Sequence, residues 1–315
     1  MQKFFALAEV PRDFGPSAVT IGKFDGVHAG HRAVIAQLRE VAAERELVPT
    51  VVTFDRNPLS LLRPELCPEA LVSNEQKLDL LEAAGVDATL TVTFDREFSQ
   101  QSPQDFISSI LVDALHARVV LVGGDFRFGA GGAGNVDLLR AVGAESGFEV
   151  VVIGDVTPDG ARRASSTWIR ELLAEGRVDA AAELLGTLPT IRSVVVRGEQ
   201  RGRTLGYPTA NLSPEIEGYI PADGVYAAWL TVEGQRYPAA VSIGNNPTFE
   251  GVPDKQVEAH AIDQAGLNLY GKVAEVSFVK YIRGMRKFDG ADALAQQMGA
   301  DERDIRDVLG VPRRE

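Results

Sequence analysis

Apolar positions in the first half of the chain fall into short continuous runs, separated by longer stretches in which they recur at helical spacing. Residues 18–21, 48–54, 88–94, 118–123 and 149–153 are rich in β-branched side chains and read as buried strands. Between them, 31–45, 74–84, 103–116 and 135–146 carry the 3.6-residue period; Val34, Ile35, Leu38 and Val41 are the first example. Two further helical segments, 166–173 and 178–185, close this half. Such alternation predicts a doubly wound parallel sheet that binds its ligands at the carboxyl ends of the strands.

The pattern changes at 186–189. Beyond it, apolar runs at 191–197, 225–232, 236–243, 257–263 and 273–282 are closely spaced and punctuated by Gly, Pro, Asn and Asp, which predicts an antiparallel barrel or sandwich. A last helix is expected over 291–309, with 313–315 frayed. The expected fold class is therefore α/β: an N-terminal doubly wound parallel-sheet domain, 1–186, followed by a C-terminal antiparallel β-barrel domain with a terminal helix, 187–315.

Composition narrows the class. The chain has 315 residues, room for two cores, and its 45% hydrophobic and 24% charged content is that of a globular protein. No apolar run approaches membrane-spanning length, and the first residues meet an acid and a proline too early for a secretory signal. Cys67 is the single cysteine, so no intramolecular disulfide is expected. The expected location is cytoplasmic. A net charge of −12 argues against a nucleic-acid partner and against capture of anions by a broad positive field. Phosphate binding must then rest on local geometry. Self-association, if any, is expected to be a weak or transient homo-oligomer.

Such geometry is visible at Gly22-Lys23-Phe24-Asp25-Gly26-Val27-His28-Ala29-Gly30-His31, between the first long strand and its helix. Glycines allow a ligand to approach the backbone, the helix N-terminus offers free N–H groups, and histidines one turn apart face the same way. The plain alternative is a tight turn with solvated histidines. Three more clusters follow strands: Thr53-Phe54-Asp55-Arg56-Asn57-Pro58, Gly123-Gly124-Asp125-Phe126-Arg127-Phe128-Gly129, and Ser165-Ser166-Thr167-Trp168-Ile169-Arg170. Singly, a serine cap or phenylalanine packing accounts for the last two. Four clusters at the ends of four strands point to one ligand site.

Together these residues, within 17–185, resemble the adenylyltransferase module of bacterial bifunctional riboflavin kinase/FAD synthetases. The resemblance implies ATP binding by His28 and His31 with Gly22, Phe24, Gly26, Gly30, Ser165, Ser166, Thr167 and Arg170. It implies flavin contacts from Asp55, Asn57, Asp125, Phe126 and Phe128. Two positions depart from the family pattern: Arg56-Asn57 stands for Pro-His, and Ala164 for a branched aliphatic residue. Adenylyl transfer to FMN needs no general base, because the attacking phosphate is already ionised near pH 7. It needs stabilised charge on the transferring phosphate and on pyrophosphate, which histidines, hydroxyls, an arginine and helix N–H groups supply.

In the second half, Arg197-Gly198-Glu199-Gln200-Arg201-Gly202-Arg203-Thr204-Leu205-Gly206-Tyr207-Pro208-Thr209-Ala210-Asn211 joins a glycine-rich basic run to a Pro-Thr-Ala-Asn turn. Taken alone, it reads as a phosphate-cradling loop with two oxygen ligands for Mg²⁺, or as a solvated hairpin. The run resembles the riboflavin kinase signature. So, in the same order, do Ser242 to Phe249, Val257-Glu258-Ala259-His260, Leu269-Tyr270-Gly271 and Ile282 to Phe288. By that resemblance, Gly202, Arg203 and Gly206 bind ATP, and Thr209 and Asn211 hold Mg²⁺. Arg283 and Phe288 contact flavin, and Glu258 is the base that activates the ribityl hydroxyl. His260 shares the period-two face of Glu258 and is expected to be a hydrogen-bonded structural histidine. The implied activity is phosphorylation of riboflavin to FMN, then adenylyl transfer giving FAD and pyrophosphate. Riboflavin, FMN, FAD and ATP are the partners, and flavin is substrate and product rather than a resident cofactor. Two rivals remain: a kinase with a weakened adenylyltransferase domain, and a flavin-binding protein without turnover.

Overall fold

The computed structural model describes residues 1–154, 162–197, 207–244, 255–264 and 266–312. By its contacts the chain divides into two compact units, Met1–Ser165 and Ser166–Glu315.

In the first unit, six strands form one parallel sheet: β1 (Gln2–Phe4), β2 (Ser17–Ile21), β3 (Val48–Phe54), β4 (Ala88–Val92), β5 (Ala117–Gly123) and β6 (Glu149–Ile153). Their order is β1-β4-β3-β2-β5-β6. From β2 the chain steps outward to β3 and β4, then crosses back to β5 on the other side of β2. The carboxyl ends of β2 and β5 therefore flank the point where strand order reverses, the expected ligand crevice of an open α/β sheet.

Alternation of side chains across the pleat explains the two layers. Val119 and Leu121 face a cluster with Ile35, Leu38 and Ala42 of α1 (Ala29–Glu44) and Leu81 of α3 (Asn74–Ala83). A short α2 (Pro58–Leu62) precedes α3. Val120 and Val122 face the opposite cluster, with Leu139 of α6 (Val136–Ser146) and Phe106, Ile107, Ile110 and Leu111. The last four lie where α5 (Pro103–Phe106) runs on into a π-helical stretch, Ile107–Ala114; one turn, α4 (Arg96–Ser99), comes before it.

The second unit opens with α7 (Ser166–Ala174) and α8 (Val178–Leu185), which group by contact with the barrel. The amide of Ala222 donates to the carbonyl of Leu173, and Gly176 leaves room for Tyr281, whose ring would lie 3.0 Å from an added Cβ. Their period shows that each helix buries one face, but period alone does not name what covers it.

The barrel comprises β7 (Thr190–Val196), β8 (Ala210–Leu212), β9 (Gly224–Val232), β10 (Gln235–Gly244), β11 (Gln256–Ala261) and β12 (Val273–Arg283), closed in the order β10-β11-β8-β7-β12-β9. Tyr226, Leu230, Val241, Val276 and Phe278 fill its core. The terminal helix α9 (Ala291–Leu309) covers part of it through Ile305, which packs with Val225, Ala227 and Ile262. The expected frayed end, 313–315, lies outside the described residues.

Candidate active sites

The turn after β2 is built from the inside outward. Phe24 and Val27 are buried, and both hold positive φ, +49° and +40°. A β-branched residue in that region is strained, and such strain persists only where the surroundings fix it. Here burial of both side chains, a bond from the Val27 amide to the Phe24 carbonyl (3.3 Å) and one from the Thr53 hydroxyl to the Lys23 carbonyl (3.2 Å) do so. Gly26, at φ +82°, completes the reversal, and the Gly22 amide bonds the Val52 carbonyl, continuing the β2–β3 pairing.

That scaffold delivers the two histidines. His28 is the N-cap of α1, yet its side chain makes no capping bond. Its ring stacks on His31, centroids 3.8 Å apart and 23° between planes, while Phe24 backs His31 at 4.9 Å. The Nδ1 atoms of both rings are buried without a hydrogen-bond partner. Gly30 gives this packing its room: a Cβ there would come within 3.1 Å of His28 Cε1, so the ring would have to give by a few tenths of an ångström.

Both imidazoles are neutral at pH 7. Burial, helped by the nearby Arg163 guanidinium, pushes His28 down to about 4. His31 is held well below its ordinary value by burial, then by His28, Arg163 and Lys23. Two neutral rings with unsatisfied nitrogens, beside a helix N-terminus, can offer hydrogen bonds to an anion without carrying positive charge.

Arg163 was not among the sequence-derived candidates, although it stands two residues before the serine run. It lies 3.3 Å from Asp125, the candidate on the loop after β5. Phe126 stacks on Phe128 (5.4 Å, 18°), and Phe128 is buried against Phe106. A cavity of about 260 Å³ opens beside them, lined by Gly124, Phe126, Arg127, Asn135, Arg140 and Val152 among others. On the loop after β3, Asn57 caps α2 through the Leu59 amide, and Asp55 accepts from the Phe94 amide at 2.8 Å. Asp55 also pairs with the exposed Arg56. Ser165 ends the first unit; Ser166, Thr167 and Arg170 lie on α7 in the second.

On the barrel, strand register does the assembling. Glu258 of β11 stands directly opposite Asn211 of β8 on one side and Ser242 of β10 on the other. Ala210, Leu212, Val257 and Ala259 are buried, so Asn211 and Glu258, both half-buried, share the opposite face. Thr209 falls on that face by the same alternation. His260 anchors the turn: its Nδ1 bonds the Pro208 carbonyl at 2.8 Å, and Tyr207 packs edge-on against the ring. That bond is the one expected of a structural histidine, although His260 is buried where Glu258, on the same face by strand period, is half-buried. A hydroxyl, an amide oxygen and a carboxylate are all hard oxygen donors, which fits Mg²⁺. Among the described residues no group of three or more His, Cys, Asp and Glu converges as a metal site.

Arg283 is tied to Asp301 of α9 by three contacts of 2.7–3.0 Å, with Phe288 5.7 Å from its guanidinium. Asp301, absent from the sequence-derived candidates, is itself buried and also accepts from Gln297. Gly202, Arg203 and Gly206, like Asn245 to Phe249, lie outside the described residues.

Comparison with known proteins agrees with both halves. The family model for FAD synthetase matches residues 10–167, and that for riboflavin kinase matches 185–309. A bifunctional riboflavin kinase/FMN adenylyltransferase of Escherichia coli K12 is 38% identical over 306 residues, covering 97% of this chain and 96% of the relative. The protein of that name from Listeria monocytogenes is 37% identical over 291 residues, 91% of each chain. Among solved structures, one titled a macrolide-efflux protein from Streptococcus pneumoniae superposes with a TM-score of 0.85 at 30% identity, covering 96% of this chain and 98% of its own. Among the described residues, no helix is long and apolar enough to cross a membrane.

Proposed function

The chain belongs to the family of bifunctional riboflavin kinases/FMN adenylyltransferases, enzymes that phosphorylate riboflavin to FMN and adenylylate FMN to FAD; from that premise we propose how its own residues divide the work. Residues 1–186 carry adenylyl transfer and 187–315 carry the kinase. The observation that most supports this division is the pair of stacked, neutral, unsatisfied histidines at the end of β2, set against a carboxylate paired by register with Asn211.

For adenylyl transfer, His28 and His31 donate N–H bonds to ATP phosphate oxygens at the N-terminus of α1, within the turn shaped by Gly22, Phe24, Gly26 and Gly30. Ser165, Ser166, Thr167 and Arg170 add hydroxyl and guanidinium donors. The donors act where charge grows on the α-phosphate and on departing pyrophosphate. Asp55, Asn57, Asp125, Phe126 and Phe128 border the flavin.

For phosphorylation, Glu258 accepts the proton of the terminal ribityl hydroxyl as its oxygen bonds to the γ-phosphorus of ATP and the bond from that phosphorus to the bridging oxygen breaks, releasing ADP. Thr209 and Asn211 would hold Mg²⁺, which would neutralise part of the phosphate charge. Gly202, Arg203 and Gly206 embrace the nucleotide, and Arg283 and Phe288 border the isoalloxazine. The working location is the cytoplasm, the partners are small molecules, and no nucleic acid or membrane takes part.

The test is a time course with riboflavin and Mg·ATP, separating the flavins by chromatography. FMN should appear first and FAD after it. Thr209→Ala with Asn211→Ala should suppress FMN formation while supplied FMN is still converted to FAD. Equal loss of both conversions in a folded double variant would overturn the division.

A further inference from the structure

A lysine outside every motif sits between the two loops that carry the adenylyltransferase motifs. Lys77, on the second turn of α3, is buried, 6% exposed. Lysines are almost never fully buried unless paired, and this one is. Its ammonium donates to the carbonyl of Phe54, 2.7 Å away, the last residue of β3 before the Asp55-Arg56-Asn57 loop. The carboxylates that act on it come from both loops: Asp25 of the turn after β2 and Asp55 of the loop after β3. The rest of the segment repeats the pattern. The Leu71 amide donates to Asp25 Oδ1 at 2.8 Å, and the Asn74 side-chain amide donates to the Asp55 carbonyl. The start of α3 is held in turn by a capping box between Ser73 and Gln76.

We propose that Lys77 is a positioning residue for adenylyl transfer: its ammonium, bonded to the Phe54 carbonyl and attracted by Asp25 and Asp55, locks the histidine-bearing turn against the loop after β3. Its side chain is assigned no contact with substrate. It acts through Asp25, three residues before His28 in a turn whose strained backbone needs external support. This inference rests on the placement of adenylyl transfer at His28 and His31.

A purely structural lysine would be a poor choice here. Burial outweighs the attraction of both carboxylates and pushes Lys77 down to about 8. The folded value lies below the ordinary 10.5, so the charged form is disfavoured by folding across neutral pH. An apolar side chain of the same length should be tolerated by the fold but not by the reaction. The charged and titratable groups facing the ammonium are Asp25 and Asp55.

The experiment uses the full chain, with riboflavin phosphorylation as the internal control of folding. Lys77→Met should lower kcat for FAD formation from supplied FMN at least tenfold, with FMN formation within twofold of wild type. In the wild type, FAD formation should fall as pH rises past about 8, where the ammonium loses its charge. Lys77→Arg, whose charge does not titrate in that range, should keep part of the activity and extend the plateau upward. His28→Ala is run in parallel. If it is impaired while Lys77→Met is not, the role of Lys77 is overturned alone. If His28→Ala is unimpaired, the placement of adenylyl transfer fails and the proposal with it. An alkaline limb identical in wild type and Lys77→Arg overturns the proposal even where Lys77→Met cannot be purified folded.

Discussion

The turn after β2 and the outer face of β11, the two sites proposed for phosphate chemistry, are built in opposite ways. At the first, a strained loop buries two rings, strips them of charge and leaves their nitrogens unsatisfied. At the second, no strain is needed: pairing of β8 with β11 sets a carboxylate opposite an amide on a half-buried face. The nucleophiles explain the difference. FMN arrives ionised and asks only for donors where charge develops. A ribityl hydroxyl must lose a proton, which on the reading proposed above calls for a base, Glu258, beside the oxygens assigned to Mg²⁺. Preorganised donors belong in a dry, rigid turn, whereas a base has to remain ionised and is better placed where water still reaches.

The sharpest way to break that contrast is to remove a donor. His28→Ala or His31→Ala should cost about 2.7–4 kcal/mol of transition-state stabilisation, a loss of roughly 10²–10³-fold. FMN should accumulate when riboflavin and ATP are supplied. His28→Asn should recover part of the rate, because an amide still donates; a general-base role predicts no recovery. Undiminished FAD from both alanine variants would reduce the motif to a tight turn.

Next comes the base. Glu258→Gln keeps the shape and should slow FMN formation roughly 10²-fold, with FAD formation from supplied FMN unchanged. Near-normal kinase turnover in this variant would remove Glu258 from the mechanism. A smaller effect, about tenfold on FAD formation, is expected for Gly30→Ala, whose methyl would press on the His28 ring and displace a donor by a fraction of an ångström. Equal loss in the kinase would mean that the methyl disturbs more than this turn.

A last effect falls on stability rather than on rate. Burial holds His28 at about 4, below its ordinary 6.5. The unfolded chain therefore takes up a proton between those values and the folded chain does not. Stability present above pH 6.5 should be lost as pH falls toward 4, by on the order of 3 kcal/mol. Urea unfolding at pH 7.5 and 4.5 should show a smaller drop for His28→Asn with His31→Asn than for wild type. An equal drop would show that the rings are not held neutral.

What the pattern of residues conveyed, and what it withheld, follows the same physics. The sheet and barrel were legible because their strands carry long apolar runs. β1 and β8 were not, because three residues are too few to show a period. Lys77 looks like a solvated helix position, yet it stands four residues before the buried Leu81 and so shares its face. Asp301 and Arg163 escaped because their partners, Arg283 and Asp125, are distant in sequence. Spacing brought His28 and His31 to one face, but their neutrality depends on what buries them. Register alone sets Glu258 against Asn211, and register is a property of two strands.

Barrel closure also sets a clock. β7, the first barrel strand to be made, pairs with β12, so Thr190 waits for Ser277, 87 residues further along. At a synthesis rate of about 5–20 residues per second, that wait is on the order of ten seconds. The parallel sheet, complete by Ile153, needs nothing from the barrel's strands. The sheet's strands can therefore pair with one another before the barrel's last strand is made. Loss of the chain beyond β11 would leave β7 and β9 without their shared neighbour and the barrel without closure.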